Sequence, residues 1–188
     1  MPRTKEQFSS MKDERRESIV KASLPLFAIH GTKVSIDAIS EKAKCSHGIV
    51  YHYFKNTDEI YAYLQKSPAF LDLISKFESN KPGSSYEKIE DLISVFLDVK
   101  KDDFEGACYR LILLRDESKN SPFVKLCSLI KDGQNALSII GGEPTEIVHS
   151  LFTLFRGTYL PMILEKHPSV QVPSVEMVMQ LIRKPLSF

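Results

Sequence analysis

The stretch AISEKAKCSHGIVYHYFKNTDEI, Ala38 to Ile60, restricts the possible folds more than any other part of the chain. Ile36, Ile39 and Ala43 recur on one helical face behind Ser35, whose side-chain oxygen suits the N-cap of a short helix. Ser46 caps a second helix, Gly48 to Phe54, in which Val50 and Phe54 share a face at i and i+4. Between the two patterns only about three residues remain, at Lys44-Cys45-Ser46. Helices joined so tightly cross at a steep angle and leave the second exposed along one side, which is the helix-turn-helix arrangement.

The rest of the chain is also read as helical. Alternating strand patterns are missing, and the one hairpin-type dipeptide, Asp132-Gly133, lies inside a helical stretch. A first helix is expected from about Asp13 to His30 with Ile19, Ala22, Leu26 and Ile29 inward, kinked at Pro25 and stopped by Gly31. Asn56 and Glu59 form a capping-box pattern for a fourth helix, expected to continue through Tyr63 toward Phe77. Ser84 with Glu87, Ser121-Pro122 and Ser174 open later helices, and the most apolar one runs from about Pro144 to Lys166. No apolar run approaches the roughly 20 residues of a membrane span, and the N-terminus lacks a secretory core, so a cytoplasmic protein is expected.

On the second short helix, His47, Gly48, Tyr51 and His52 fall opposite Val50 and Phe54. Glycine inside a helix costs roughly 1 kcal/mol against alanine, so its presence suggests that something approaches the backbone closely. A DNA phosphate or base edge fits, since helix N-termini, tyrosine hydroxyls and histidine nitrogens bond phosphate oxygens. The alternative is that these rings pack beneath a neighbouring domain. A metal site at Cys45, His47 and His52 is disfavoured, because residues five apart point about 140° away from each other on a helix. The overall charge of +1 neither requires nor excludes nucleic acid, although residues 1–66 hold 11 Lys/Arg against 8 Asp/Glu. The three cysteines form no CxxC pair and read as thiols, and no cofactor motif or catalytic constellation occurs.

Taken together, Ser35, Ile39, Ala43, Ser46, Gly48, Tyr51 and Phe54 make residues from about Arg15 to Leu64 resemble the DNA-binding domain of the tetracycline-repressor (TetR) family. The resemblance implies DNA contacts from Ser35, Ser46, His47, Gly48, Tyr51, His52 and Tyr53, around a small core of Ile36, Ile39, Val50 and Phe54. Two positions depart from the family pattern. Lys44 replaces the usual turn glycine, and Thr57 stands where a phosphate-binding lysine is common, so Lys44, Lys55 and Thr57 complete the expected contact set. Ile49 either reads a thymine methyl or widens the core stripe.

The family analogy divides the chain into a DNA-binding domain, 1–56, and an effector-binding and dimerisation domain, 57–188. In the second, Phe96, Tyr109, Leu113 and Phe152 with the polar Arg110, His149 and Arg156 are expected to line a small-molecule site. Leu151, Phe155, Tyr159, Val178, Leu181 and Ile182 are expected at a homodimer contact. The expected function is a ligand-responsive, non-enzymatic repressor on a pseudo-palindromic DNA operator. A constitutive, architectural DNA-binding protein is the alternative.

Overall fold

The computed structural model describes residues 5–78, 81–100, 103–164 and 171–185, with side chains from Met11 onward. Among these residues the fold is all-α, and the only ladder contact is an isolated antiparallel bridge between Ile139 and Arg183. The chain divides into two compact units, residues 1–71 and 72–188. The first compact unit includes α4, which packs on α1.

The first unit holds α1 (Lys5–His30), a short 3-10 turn at Gly31–Lys33, α2 (Ile36–Lys42), α3 (His47–Tyr53) and α4 (Thr57–Leu64). α1 runs unbroken through Pro25 and stops at Gly31, whose φ of 63° is the left-handed conformation that glycine tolerates. Its buried side differs from the expected one. Ile19 is buried, but the stripe continues through Leu24, Phe27 and Ala28, while Ala22, Leu26 and Ile29 are only half-buried. The shift lets the Phe27 ring meet Tyr61 of α4 at 5.0 Å. Ile39, Val50, Phe54, Ile60 and Leu64 complete this core, and the Arg16 guanidinium lies over the rings of Phe54 and Tyr63 at 5.2 and 5.0 Å.

α4 ends at Leu64 rather than continuing, and α5 (Pro68–Glu78) starts afresh. Proline at the first position of a helix loses no hydrogen bond and forces the residue before it out of helical geometry. Ser67 accepts from the Phe70 amide at 3.3 Å and so caps the new helix.

The second unit contains α6 (Ser85–Leu97), α7 (Phe104–Leu113), α8 (Pro122–Asn135), α9 (Pro144–Leu164) and α10 (Val175–Ile182). Ser84 and Glu87 form the expected capping box, and Ser121 and Ser174 accept from Val124 and Met177 amides as N-caps. Residues 165–166, expected at the end of α9, lie outside the described residues. α8 packs on α6 and α9, α7 on α9, and α10 on α6. At the centre Phe96 stacks on Phe155 at 4.9 Å and 19°, with Phe77 edge-on at 5.2 Å. By length and composition α9 could cross a membrane, contrary to the reading that no apolar run is long enough. Val148, Leu151, Phe152, Phe155, Tyr159 and Met162 are nevertheless buried inside this unit.

The last turn of α6 shows what two expected functional residues do instead. Helix C-termini leave carbonyls without partners. The Tyr159 hydroxyl donates to the Phe96 carbonyl, and Arg110 donates to the Val95 carbonyl through Nε at 2.9 Å and to the Asp98 carbonyl through Nη2. Burial pushes the Tyr159 phenol up, so it remains a donor. Tyr159→Phe is expected to cost about 1–3 kcal/mol by orphaning a buried carbonyl, measured by urea unfolding of purified protein.

Candidate nucleic-acid interface

α2 begins at Ser35, whose Oγ accepts from the Ala38 amide at 3.2 Å, and ends in a turn that fixes the direction of α3. In that turn the Lys44 amide bonds the Glu41 carbonyl at 3.1 Å and the Cys45 amide bonds the Ser40 carbonyl at 3.0 Å. This is the Schellman pattern, which needs a left-handed residue at its centre, and Lys44 takes that place with φ of 50°. A lysine thus sits where the backbone favours glycine. Ser46 occupies the N-cap of α3 without a side-chain capping bond, since the Ile49 amide bonds its carbonyl instead.

α3 buries Val50, with Phe54 just beyond its end, and exposes most of the rest. Ser46, His47, Gly48, Tyr51 and His52 are exposed, Tyr51 at 58%, and Tyr53 is half-buried with its ring edge-on to His52 at 5.0 Å. Ile49 is 37% exposed, so it does not widen the core stripe. Gly48 is the most informative position. A Cβ built there would meet only Ser46 Oγ, at 3.9 Å, so nothing among the described residues requires glycine. Ser35, at the N-cap of α2, and Lys44 and Lys55, in the turns before and after α3, are exposed, and Thr57, the first residue of α4, is half-buried. Asn56 Oδ1 accepts from the Glu59 amide at 2.9 Å, while the Glu59 carboxylate reaches back to the Lys55 amide at 2.7 Å, one residue further than expected.

One member of this surface was not legible in the sequence. Asp37, in the first turn of α2, lies 3.3 Å from His47 Nε2, and both are solvent-exposed. Nothing in the spacing of residues ten apart indicates such a pair, because the turn geometry creates it.

In the second unit the expected ligand residues separate. His149, Phe152 and Arg156 line a cleft of about 370 Å³ together with Phe123, Ser121 and Leu114. Phe123 sits 4.7 Å from the His149 ring, and Arg156 donates from Nη2 to the Leu114 carbonyl at 3.2 Å while its buried Nε has no acceptor among the described residues. Phe96, Tyr109, Leu113 and Arg110 are instead buried core, the last committed to α6. Of the residues expected at a dimer contact, Leu151, Phe155, Tyr159, Val178 and Ile182 are buried within the unit, and only Leu181 is exposed, at 58%. The cysteines are free; burial pushes the Cys108 thiol up to about 12 and keeps it protonated.

The short helix pair with an exposed second helix is a helix-turn-helix arrangement, followed here by a second helical unit. Residues 19–64 match the model of the bacterial regulatory proteins of the tetR family. Similar solved structures extend the likeness to the whole fold. A mutant of HlyIIR has a TM-score of 0.60 at 17% identity, covering 93% of this chain and 99% of its own. A tetR-family regulatory protein from Rhodococcus RHA1 has 0.58 at 14%, covering 91% and 98%. SmeT in complex with triclosan has 0.53 at 19%, covering 93% and 94%. No curated protein matches the chain by sequence.

Proposed function

We propose that this chain is a dimeric, ligand-responsive repressor that reads operator DNA with α3. The observation that carries the reading is Gly48: an exposed helical glycine with open space around it costs stability without serving the chain's own packing, which close approach by a ligand explains. DNA supplies both the phosphates for Ser35, Lys44, Lys55 and Tyr51 and the base edges for the N-terminal half of α3. The protein acts in the cytoplasm, where that DNA is. Selection of DNA fragments by the purified protein, followed by footprinting, tests this. A pseudo-palindrome with half-sites about one helical turn, roughly 34–36 Å, apart is expected. No selected sequence and scattered genomic occupancy would instead favour an architectural protein.

Lys44 allows a sharper test. Lys44→Gly removes a left-handed lysine and is expected to raise stability by up to about 1 kcal/mol in thermal melts. The same change is expected to weaken DNA binding and lower the salt dependence by about one counterion. Unchanged salt dependence would remove Lys44 from the interface.

For the effector, the cleft at His149, Phe152 and Arg156 fits best, because the Arg156 Nε–H there lacks an acceptor among the described residues, which a ligand oxygen can supply. The triclosan complex of SmeT supports small-molecule binding in this fold. Occupation of the cleft shifts helix packing and the spacing of paired α3 helices only if the ligand prefers one of two states. For the dimer, the exposed face of α9 carrying Ser150, Thr153 and Gly157, with Leu181 and Met177 of α10, replaces the buried residues first expected. Nothing lies within 4 Å of a Cβ at Gly157, so Gly157→Arg is tolerated by the folded chain. It is expected to give folded monomers in sedimentation, and a dimer of normal affinity would place the contact elsewhere.

A further inference from the structure

A second cleft in the same unit, about 430 Å³, opens between α5, α6 and α8, and four lysines line it: Lys76, Lys81, Lys88 and Lys125. Two are neutralised, Lys76 by Asp72 at 2.7 Å and Lys81 by Asp91 at 3.2 Å, and both pairs are exposed. The other two are not. Lys125 is half-buried, with its ammonium donating to the Phe77 carbonyl at 2.7 Å and lying 5.7 Å from that residue's ring centroid. Lys88, also half-buried, makes no ion pair among the described residues. The remaining wall is apolar at Leu92, Val95 and Leu129, with the Ser94 and Ser128 side chains alongside.

From this arrangement we infer that the cleft is a binding site for a small organic anion, a carboxylate or phosphate head held by Lys88 and Lys125 and an aliphatic body laid on Leu92, Val95 and Leu129. Two cations drawn partly out of water in one cavity repel each other, and an anion between them relieves both costs. Desolvation is the main cause that lowers the Lys125 pKa; the Glu78 carboxylate opposes it, and the neighbouring Lys88 adds a smaller lowering. The apolar wall explains why a bare ion is a poorer fit than an amphiphilic one. This site is separate from the cleft at His149 and Arg156, and its occupancy stands independently of whether DNA affinity responds.

The test uses the full chain with hexanoate and hexyl phosphate, against hexanol, hexylamine and inorganic phosphate as controls, by calorimetric titration and thermal shift. Hexanoate or hexyl phosphate is expected to bind and raise the melting temperature, with hexanol, hexylamine and inorganic phosphate each weaker by at least about tenfold. Lys88→Met and Lys125→Met are each expected to weaken anion binding by at least about tenfold, whereas Lys76→Met, whose charge is already paired, changes it by less than about threefold. Lys88→Met guards against misfolding in Lys125→Met, which also loses the bond to Phe77. Hexanol binding as tightly as the anions, or anion affinity unchanged in Lys88→Met, would overturn the proposal. The same titrations with labelled operator DNA report on the repressor reading separately.

Discussion

Gly48→Ala is expected to lower affinity for the selected operator by at least about tenfold, a loss near 1.4 kcal/mol, while the free protein becomes up to about 1 kcal/mol more stable. The two effects have opposite signs because they arise in different states. In the free chain the new methyl meets nothing closer than Ser46 Oγ at 3.9 Å, and alanine is the better helix former. In the complex the same methyl occupies the space through which a phosphate or base edge reaches the backbone near the start of α3. Melting curves and DNA titrations on one preparation separate the terms. A more stable variant that binds DNA unchanged would show that α3 meets DNA through other residues. A loss of stability would show instead that Gly48 serves internal packing, which the geometry around it opposes.

Phe155→Glu is the second large effect, and it falls on stability. Phe155 is fully buried and stacked on Phe96 at 4.9 Å, with Phe152 at 6.5 Å on the same helix. Loss of the ring costs about 3–5 kcal/mol, and an unpaired buried carboxylate adds several more. The total approaches the roughly 5–15 kcal/mol by which a domain is stable, so the second unit is expected to lose its cooperative melt. Circular dichroism checks this. A folded Phe155→Glu monomer would instead place Phe155 at a subunit contact, as its position in an apolar stripe first suggests. Gly157→Arg, two residues along on an open part of α9, is the paired control, expected to remain folded.

The two glycines and the aromatic stripe show how far the sequence reaches. Local signals were legible because they rest on short-range geometry: Ser35, Ser84, Ser121 and Ser174 each accept from an amide three residues on, and the turn at Lys44 closes within α2's own last residues. The exposed side of α3 followed from Val50 and Phe54 alone, since a seven-residue helix has one buried side and the remainder faces outward. Even the error at Pro68 is local, a helix restart that Ser67 and the proline both permit.

What only tertiary structure decided is the use of apolar and polar side chains in the second unit. α9 is apolar around most of its circumference, and periodicity cannot say which residues meet α7 and α8 and which remain open. Packing chose Phe155 and Tyr159 for the core and left the Gly157 face free. Arg110 reads as a ligand contact because it is a polar group beside apolar and aromatic walls, yet it donates to carbonyls at the end of α6, 12 and 15 residues earlier in the chain, and to the Gly106 carbonyl. Lysines 76, 88 and 125 are likewise scattered across three helices, and only the packing of α6 on α8 brings Lys88 and Lys125 to one cavity. Sequence by itself therefore determined the caps, the turn and the exposed side of α3, where each residue's partners lie within one or two turns. The packing of distant helices determined which charges and rings share a site, because side chains far apart in the chain meet only once the core has formed.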